Sequence, residues 1–274
     1  ASDAMRATLL HFLGLLASAA AVATVPSRVG PGLLNGVTVT SVANGRKVDL
    51  GKELRGGPFS GTKLLVLGTY AADFNAIEYG QKLRHYLPEL RAKGVQKVML
   101  VLNAEPSSCK AFAEVLDLPK DVTIFSDPAG DAGLAFGVSR GWLPDAPLSP
   151  FLKLYGMLFG LGAAGTLPSV IAGYLGNPNG QSKWIESSLA QGQRAGRWPD
   201  NALELDNTGK VVRNAFDTLP VVGSWGRRPL ELATLRLQNM IGISLKNWES
   251  LKPTEGSTLT QLGGCVVVNQ SGDV

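Results

Sequence analysis

The chain has 274 residues, 45% of them hydrophobic and 18% charged, with a formal net charge of +4, a balance that supports a substantial buried core and excludes a disordered polymer. With Cys109 and Cys265 as the cysteines and His11 and His85 as the histidines, a disulfide-rich scaffold, a paired-thiolate zinc site and a multi-histidine metal centre are excluded. Lysines and arginines are scattered among acids without a basic stripe or an aromatic-basic RNA signature, so no nucleic-acid partner is expected.

Residues 7–25 carry no charge between Arg6 and Arg28, about the length a helix needs to cross a bilayer. Thr8, His11, Ser18 and a run of alanines soften this stretch. Arg6, the apolar residues 9–16 and the small residues 17–23 also imitate a targeting segment. The expectation is a membrane anchor or membrane-lying helix, with a retained targeting segment and an ordinary buried helix as alternatives. Pro26, Gly30, Pro31 and Gly32 make a linker, which divides the chain into residues 1–32 and a domain over residues 33–274.

Val37-Thr38-Val39-Thr40 and Lys47-Val48-Asp49-Leu50 flank Asn44-Gly45, a pair that tolerates positive φ and signals a hairpin. The pattern then predicts strands at 63–67, 97–102 and 122–125, alternating with helices at 73–93, 107–116 and 131–136. Such alternation argues for a parallel sheet flanked by helices. Leu262-Gly263-Gly264-Cys265-Val266-Val267-Val268 reads as a further strand, succeeded by a turn at 269–272.

Residues 139–259 form a long, mostly helical insertion. Its apolar stretch 151–175 is interrupted by Lys153 and Pro168 and reads as two short buried or membrane-facing helices broken near Gly165-Thr166-Leu167-Pro168, with a partner-binding surface and a true span as alternatives. Gly160-Leu161-Gly162-Ala163-Ala164-Gly165 matches G-x-G-x-x-G, but no strand precedes it; dinucleotide binding is not expected, nor is any other cofactor. A helix over 229–248 is predicted to bury Leu230, Leu232, Leu235, Leu237, Ile241 and Leu245. Trp142, Phe151, Tyr155, Trp184, Trp198, Trp225 and Arg228 are candidate partner contacts, because aromatic and arginine anchors dominate interfaces.

The chemistry turns on the corner after the first long apolar run. Leu64-Leu65-Val66-Leu67 stops at Gly68-Thr69-Tyr70-Ala71-Ala72, and a helix begins at Asp73. Thiol enzymes of thioredoxin type hold a sulfur in such a corner, where helix N–H groups stabilise a thiolate. Here Tyr70, Asp73 and Asn75 stand instead. Asp73, Glu78 and Tyr79 could line a polar pocket; the plainer reading has Asp73 as cap, Glu78 and Lys82 as an exposed i,i+4 pair, and Tyr79 packed. If Ser107 caps the next helix, Cys109 falls near its second position, which favours a thiolate. That makes Cys109 a low-ranking redox candidate, and Cys265, in an apolar strand, a core residue.

Residues 122–138, with Asp127-Pro128-Ala129-Gly130 and Gly137-Val138, resemble the strand, Asp-Pro-x-Gly, helix passage of peroxiredoxins. Residues 103–119 are similar to the helix before that passage, and residues 261–268 to the closing strand of the AhpC/TSA group. The resemblance covers roughly residues 37–138 and 260–274. It implies an α/β fold with a thioredoxin-like (peroxiredoxin-like) sheet flanked by helices. Residues 73–79 and 228–241 are similar to stretches of AhpC/TSA-like proteins from cyanobacteria and chloroplasts. The family's Thr-x-x-Cys or Cys-x-x-Cys is absent at 70–75, so peroxidase activity does not carry over. The resemblance therefore implies a non-catalytic accessory or assembly subunit of a photosynthetic membrane complex such as a photosystem. Its setting would be the chloroplast thylakoid membrane on the stromal face, with the N-terminal helix as tether. The alternative is a thiol-dependent antioxidant enzyme or redox sensor using Cys109.

Overall fold

A computed structural model describes Gly32 and residues 34–56, 61–162, 183–197, 203–205, 211–214 and 231–268. The chain divides into two compact units, one of Ala1–Leu167 with Trp248–Val274 and one of Pro168–Asn247.

The first unit is built on a mixed six-stranded sheet. Strands β1 (Thr38–Ser41) and β2 (Lys47–Asp49) form the expected hairpin. Gly45 reaches a φ of +70° in its loop, and Ser41 N donates to Arg46 O at 2.8 Å. Helix α1 (Leu50–Arg55) was not anticipated. Its signal is Asp49, whose carboxylate accepts from Lys52 N at 2.9 Å and Gly36 N at 3.0 Å, capping the helix and tying it to the hairpin. The buried Lys63 ammonium closes the other end, donating to Leu54 O at 2.6 Å and Gly56 O at 2.9 Å, where the helix dipole favours a cation.

Strands β3 (Thr62–Leu67), β4 (Val95–Leu102) and β5 (Val122–Ser126) run parallel. Their near-continuous apolar sequences reflect burial on both faces. Alternation sends Leu65, Leu67, Met99, Val101 and Phe125 to one face, where they cluster with Leu50 and Leu54 of α1 and with Ala132 and Phe136 of α4 (Asp131–Phe136). Each buried leucine, valine, methionine or phenylalanine of this cluster stabilises the fold by about 1.5–3 kcal/mol. Two further helices connect the parallel strands, α2 (Phe74–Ala92) between β3 and β4 and α3 (Pro106–Leu116) between β4 and β5. They meet at Gly80, where a Cβ would come within 2.6 Å of Leu116 Cδ1 and 3.1 Å of the Phe112 ring. Strand β8 (Gly264–Val268) lies antiparallel to β3 and completes the order β2-β1-β5-β4-β3-β8.

The start and finish of the insertion are stitched together. Leu262 N donates to Ser139 O at 2.9 Å, Thr260 Oγ1 to Arg140 O at 2.7 Å, and Gln261 Nε2 to Gly130 O at 2.9 Å. Gly141, at a φ of +77°, belongs to this clamp; a Cβ there would stand 1.9 Å from Thr260 O.

Helix α5 (Pro150–Leu158) opens on Ser149, which caps Leu152 N, and ends in a turn where Gly160 and Gly162 adopt positive φ. The break expected near residues 165–168 lies outside the described residues. Helix, not strand, precedes the G-x-G-x-x-G stretch, as dinucleotide binding would not allow. In the second unit, α6 (Lys183–Arg194) packs against α7 (Glu231–Lys246), and β6 (Leu203–Leu205) pairs with β7 (Val211–Asn214). At the C-terminal end of α7 the expected inward face is corrected, because Ile241 and Leu245 are exposed while Asn239, Met240 and Ile243 are buried; the side chains of Leu230, Leu232, Leu235 and Leu237 lie outside the described set. Asn239 Nδ2 donates to Ser188 O at 3.2 Å, and a Cβ at Gly192 would meet Asn239 Oδ1 at 2.4 Å. A close seam at small residues thus selects the face that hydropathy alone did not. A short helix, α8 (Trp248–Leu251), returns the chain to the first unit.

No described helix is long and apolar enough to cross a membrane, and residues 7–25 lie outside the described residues.

Candidate functional site

Three features of the first unit bear on function: the corner after β3, the two thiols, and the region around α5. Gly68 begins the corner. Its N–H donates to Val101 O at 2.8 Å, and a Cβ there would press to 2.9 Å from the same oxygen, so glycine permits the strands' close approach. Asn103 N then donates to Thr69 O at 3.1 Å, joining the ends of β3 and β4.

Tyr70, buried, meets Trp248 of α8 edge-on, with ring centroids 6.3 Å apart at 86°. Ala72 N donates to Leu251 O at 3.1 Å. Helix α8 therefore lies over the corner as a lid, which the sequence did not announce. Burial, with Asp73 adding to it, pushes the Tyr70 hydroxyl's pKa well up. Asp73 stands at the N-cap position of α2 but makes no capping bond with its side chain. Its carboxylate accepts from Asn75 Nδ2 at 3.3 Å instead. Burial raises the Asp73 pKa, with Thr69 and Asn75 pulling the other way.

One turn further on, Glu78 and Lys82 form the expected pair at 2.7 Å, but their side chains are only 8% and 2% exposed. The expectation of a solvated pair is corrected: α2 is enclosed on nearly all sides from Ala76 to Leu83. Burial draws the Lys82 ammonium down to about 7. Tyr79 is buried as expected, and burial lifts its hydroxyl.

Neither thiol is placed for nucleophilic chemistry. Pro106, not Ser107, begins α3, with Glu105 at the cap position. Cys109 is thus the fourth helical residue rather than the second, and its own N–H already bonds Glu105 O at 2.9 Å. The thiol is buried and directed to Ala104 O at 3.6 Å. Burial, reinforced by Glu105, pushes it up to about 12. Cys265 in β8 is half-buried rather than the core residue expected, and burial likewise pushes its thiol up to about 12. A thiolate, the reactive form, is scarce at neutral pH for both. Among the described residues no group of three or more His, Cys, Asp or Glu could hold a metal ion.

The candidate partner residues part company. Tyr155 is 61% exposed on α5; Phe159 is 70% exposed at its end, and Leu143, Leu152 and Leu161 are also exposed. Leu152, Tyr155 and Phe159 recur at helical spacing, so this helix turns an apolar face to solvent. Trp142 is half-buried against α5, since a Cβ at Gly156 would lie 2.2 Å from its ring. In the second unit Trp184 is buried, with the Arg236 guanidinium 4.9 Å above its ring. Phe151 lies in α5, but its side chain is outside the described set, as are Trp198, Trp225 and Arg228.

The sequence reading missed a cavity of about 240 Å³ lined by Leu148, Pro150, Lys153, Trp248, Lys252, Pro253, Gly256 and Leu259. One signal could have found it: Lys153 is the single charged residue between Asp145 and Lys183.

Compared with known proteins, the chain matches no family model, no curated protein and no solved structure.

Proposed function

We propose that this protein is a redox-silent member of the thioredoxin-like, peroxiredoxin-like class that acts by docking, as an accessory or assembly subunit of a photosynthetic membrane complex. The observation that carries the reading is the corner between β3 and α2. It has no cysteine, buries Tyr70 and lies beneath Trp248 and Leu251 of α8. A thiol centre needs an accessible sulfur that can ionise, and this corner has no sulfur and has Tyr70 packed under α8. The parallel β3-β4-β5 core with antiparallel β8 beside β3 is compatible with that class. The photosynthetic setting rests on the likeness of residues 73–79 and 228–241 to cyanobacterial and chloroplast proteins.

Docking is supported by the apolar face of α5. Exposed aromatic and aliphatic side chains grouped on one helix mark interaction surfaces rather than ordinary solvent-facing ones. The occupant in this reading is a membrane-protein complex. The test is co-purification from gently solubilised membranes, comparing the intact chain with a Tyr155→Ser, Phe159→Ser double variant. The intact chain should elute with a large complex and the variant should lose at least about tenfold of that association. Elution of the intact chain without partners would refute the docking reading.

A further inference from the structure

Lys153 is 5% exposed, and its ammonium donates to Pro144 O at 2.7 Å. That carbonyl is its one hydrogen-bond partner among the described residues, and none of them supplies a counter-charge. An ammonium has three donors, and a charge removed from water calls for a compensating one. Lys153 also lines the cavity of about 240 Å³, whose other walls are Leu148, Pro150, Trp248, Pro253 and Leu259, with no acidic side chain in the lining. The second lining lysine differs: Lys252 is exposed and already pairs with Glu249 at 2.5 Å.

From this pairing of a buried lysine that meets one carbonyl and no carboxylate with a half-open, mainly apolar pocket, we propose that the pocket binds a small amphiphilic carboxylate, its head on Lys153 and its apolar body against Trp248 and Leu259. The chamber is below the roughly 300–1,000 Å³ of sites for larger ligands, so the body is one ring or a chain of about six carbons. One unmatched ammonium suits one negative charge. A phosphate lacks an apolar body to fill the walls, and a neutral molecule leaves the ammonium unpaired. Trp248 forms both a cavity wall and the edge contact to Tyr70, so an occupant would touch the lid of the corner. The inference goes beyond the docking reading and does not depend on it.

Calorimetric titration of the full chain with hexanoate, benzoate, hexanol, benzyl alcohol and inorganic phosphate tests the site. The two carboxylates should bind at one site with Kd near or below about 1 mM, and the alcohols and phosphate at least about tenfold more weakly. Lys153→Met should weaken carboxylate binding at least about tenfold while leaving hexanol little changed. Leu148→Trp, which fills the chamber, should abolish carboxylate binding with the circular dichroism spectrum unaltered. The acid-against-alcohol comparison on the unaltered chain stands even if a variant fails to fold. Absence of carboxylate binding at about ten times that concentration, or equal binding of acid and alcohol, would overturn the proposal.

Discussion

Helices α2 and α5 each bury a lysine, and they treat it in opposite ways. Lys82 on α2 has Glu78 at 2.7 Å, inside a helix enclosed on nearly every side. Lys153 on α5 has a carbonyl and a cavity, on a helix that also turns an apolar face to solvent. The first arrangement is that of a finished core. The second leaves a charge for something else to answer, and the difference separates the part of the molecule that holds the fold from the part suited to binding.

The contrast breaks most sharply at Glu78. At a pH of about 5, where Lys82 is charged in the fold, Glu78→Ala leaves that charge buried without its carboxylate and should cost about 3 kcal/mol in denaturant unfolding. A loss below about 1 kcal/mol would mean that the pair is solvated after all. Next in size is Gly141→Ala, which forces a Cβ against Thr260 O at positive φ; about 2–3 kcal/mol should be lost, read as a lower melting temperature. Lys153→Met, by contrast, removes a charge that has no counter-charge among the described residues and should raise unliganded stability by about 1 kcal/mol. Smallest is the Tyr155→Ser, Phe159→Ser pair, which should alter stability by no more than about 0.5 kcal/mol while weakening docking at least about tenfold.

The pH dependence sharpens the same comparison. Lys82 sits near 7 in the fold against an ordinary 10.5, so the unfolded chain holds more protons between those values. Stability from this group therefore rises as the pH climbs above about 7. Cys109 and Cys265 act in reverse: folded values near 12 against an ordinary 9.0 mean that their contribution is complete below about 9 and fades above it. Between pH 7 and 9 the unfolding free energy should rise, and Lys82→Met should flatten that rise; an unchanged slope in the variant would contradict the burial of Lys82.

Much of the scaffold was legible in the sequence, because β3, β4 and β5 are apolar runs separated by helical periodicity. Helix α1 was not, since six residues carry too little periodicity and Asp49 alone marks its start. At α3 the cap is Glu105, two residues before Ser107, which moves Cys109 from the second helical position to the fourth, out of reach of unpaired N–H groups. The face of α7 was misjudged because Gly192 and Ser188 of α6 admit Asn239, a tertiary choice that hydropathy does not encode. At the candidate site, the missing sulfur and Tyr70, Asp73 and Asn75 could be read directly. The lid could not, because Trp248 and Leu251 are nearly two hundred residues distant in the chain and meet the corner only through the fold. Lys153 gave a compositional hint, but its burial depends on Pro144 and the approach of α8.

The claim beneath the whole account is that the corner and both thiols are chemically silent. Treating the folded protein with dilute peroxide in the presence of a sulfenic-acid trap, with subsequent mass measurement of Cys109 and Cys265, tests it directly. No adduct is expected on either cysteine until the protein is unfolded. Stoichiometric labelling of Cys109 in the native chain would contradict it.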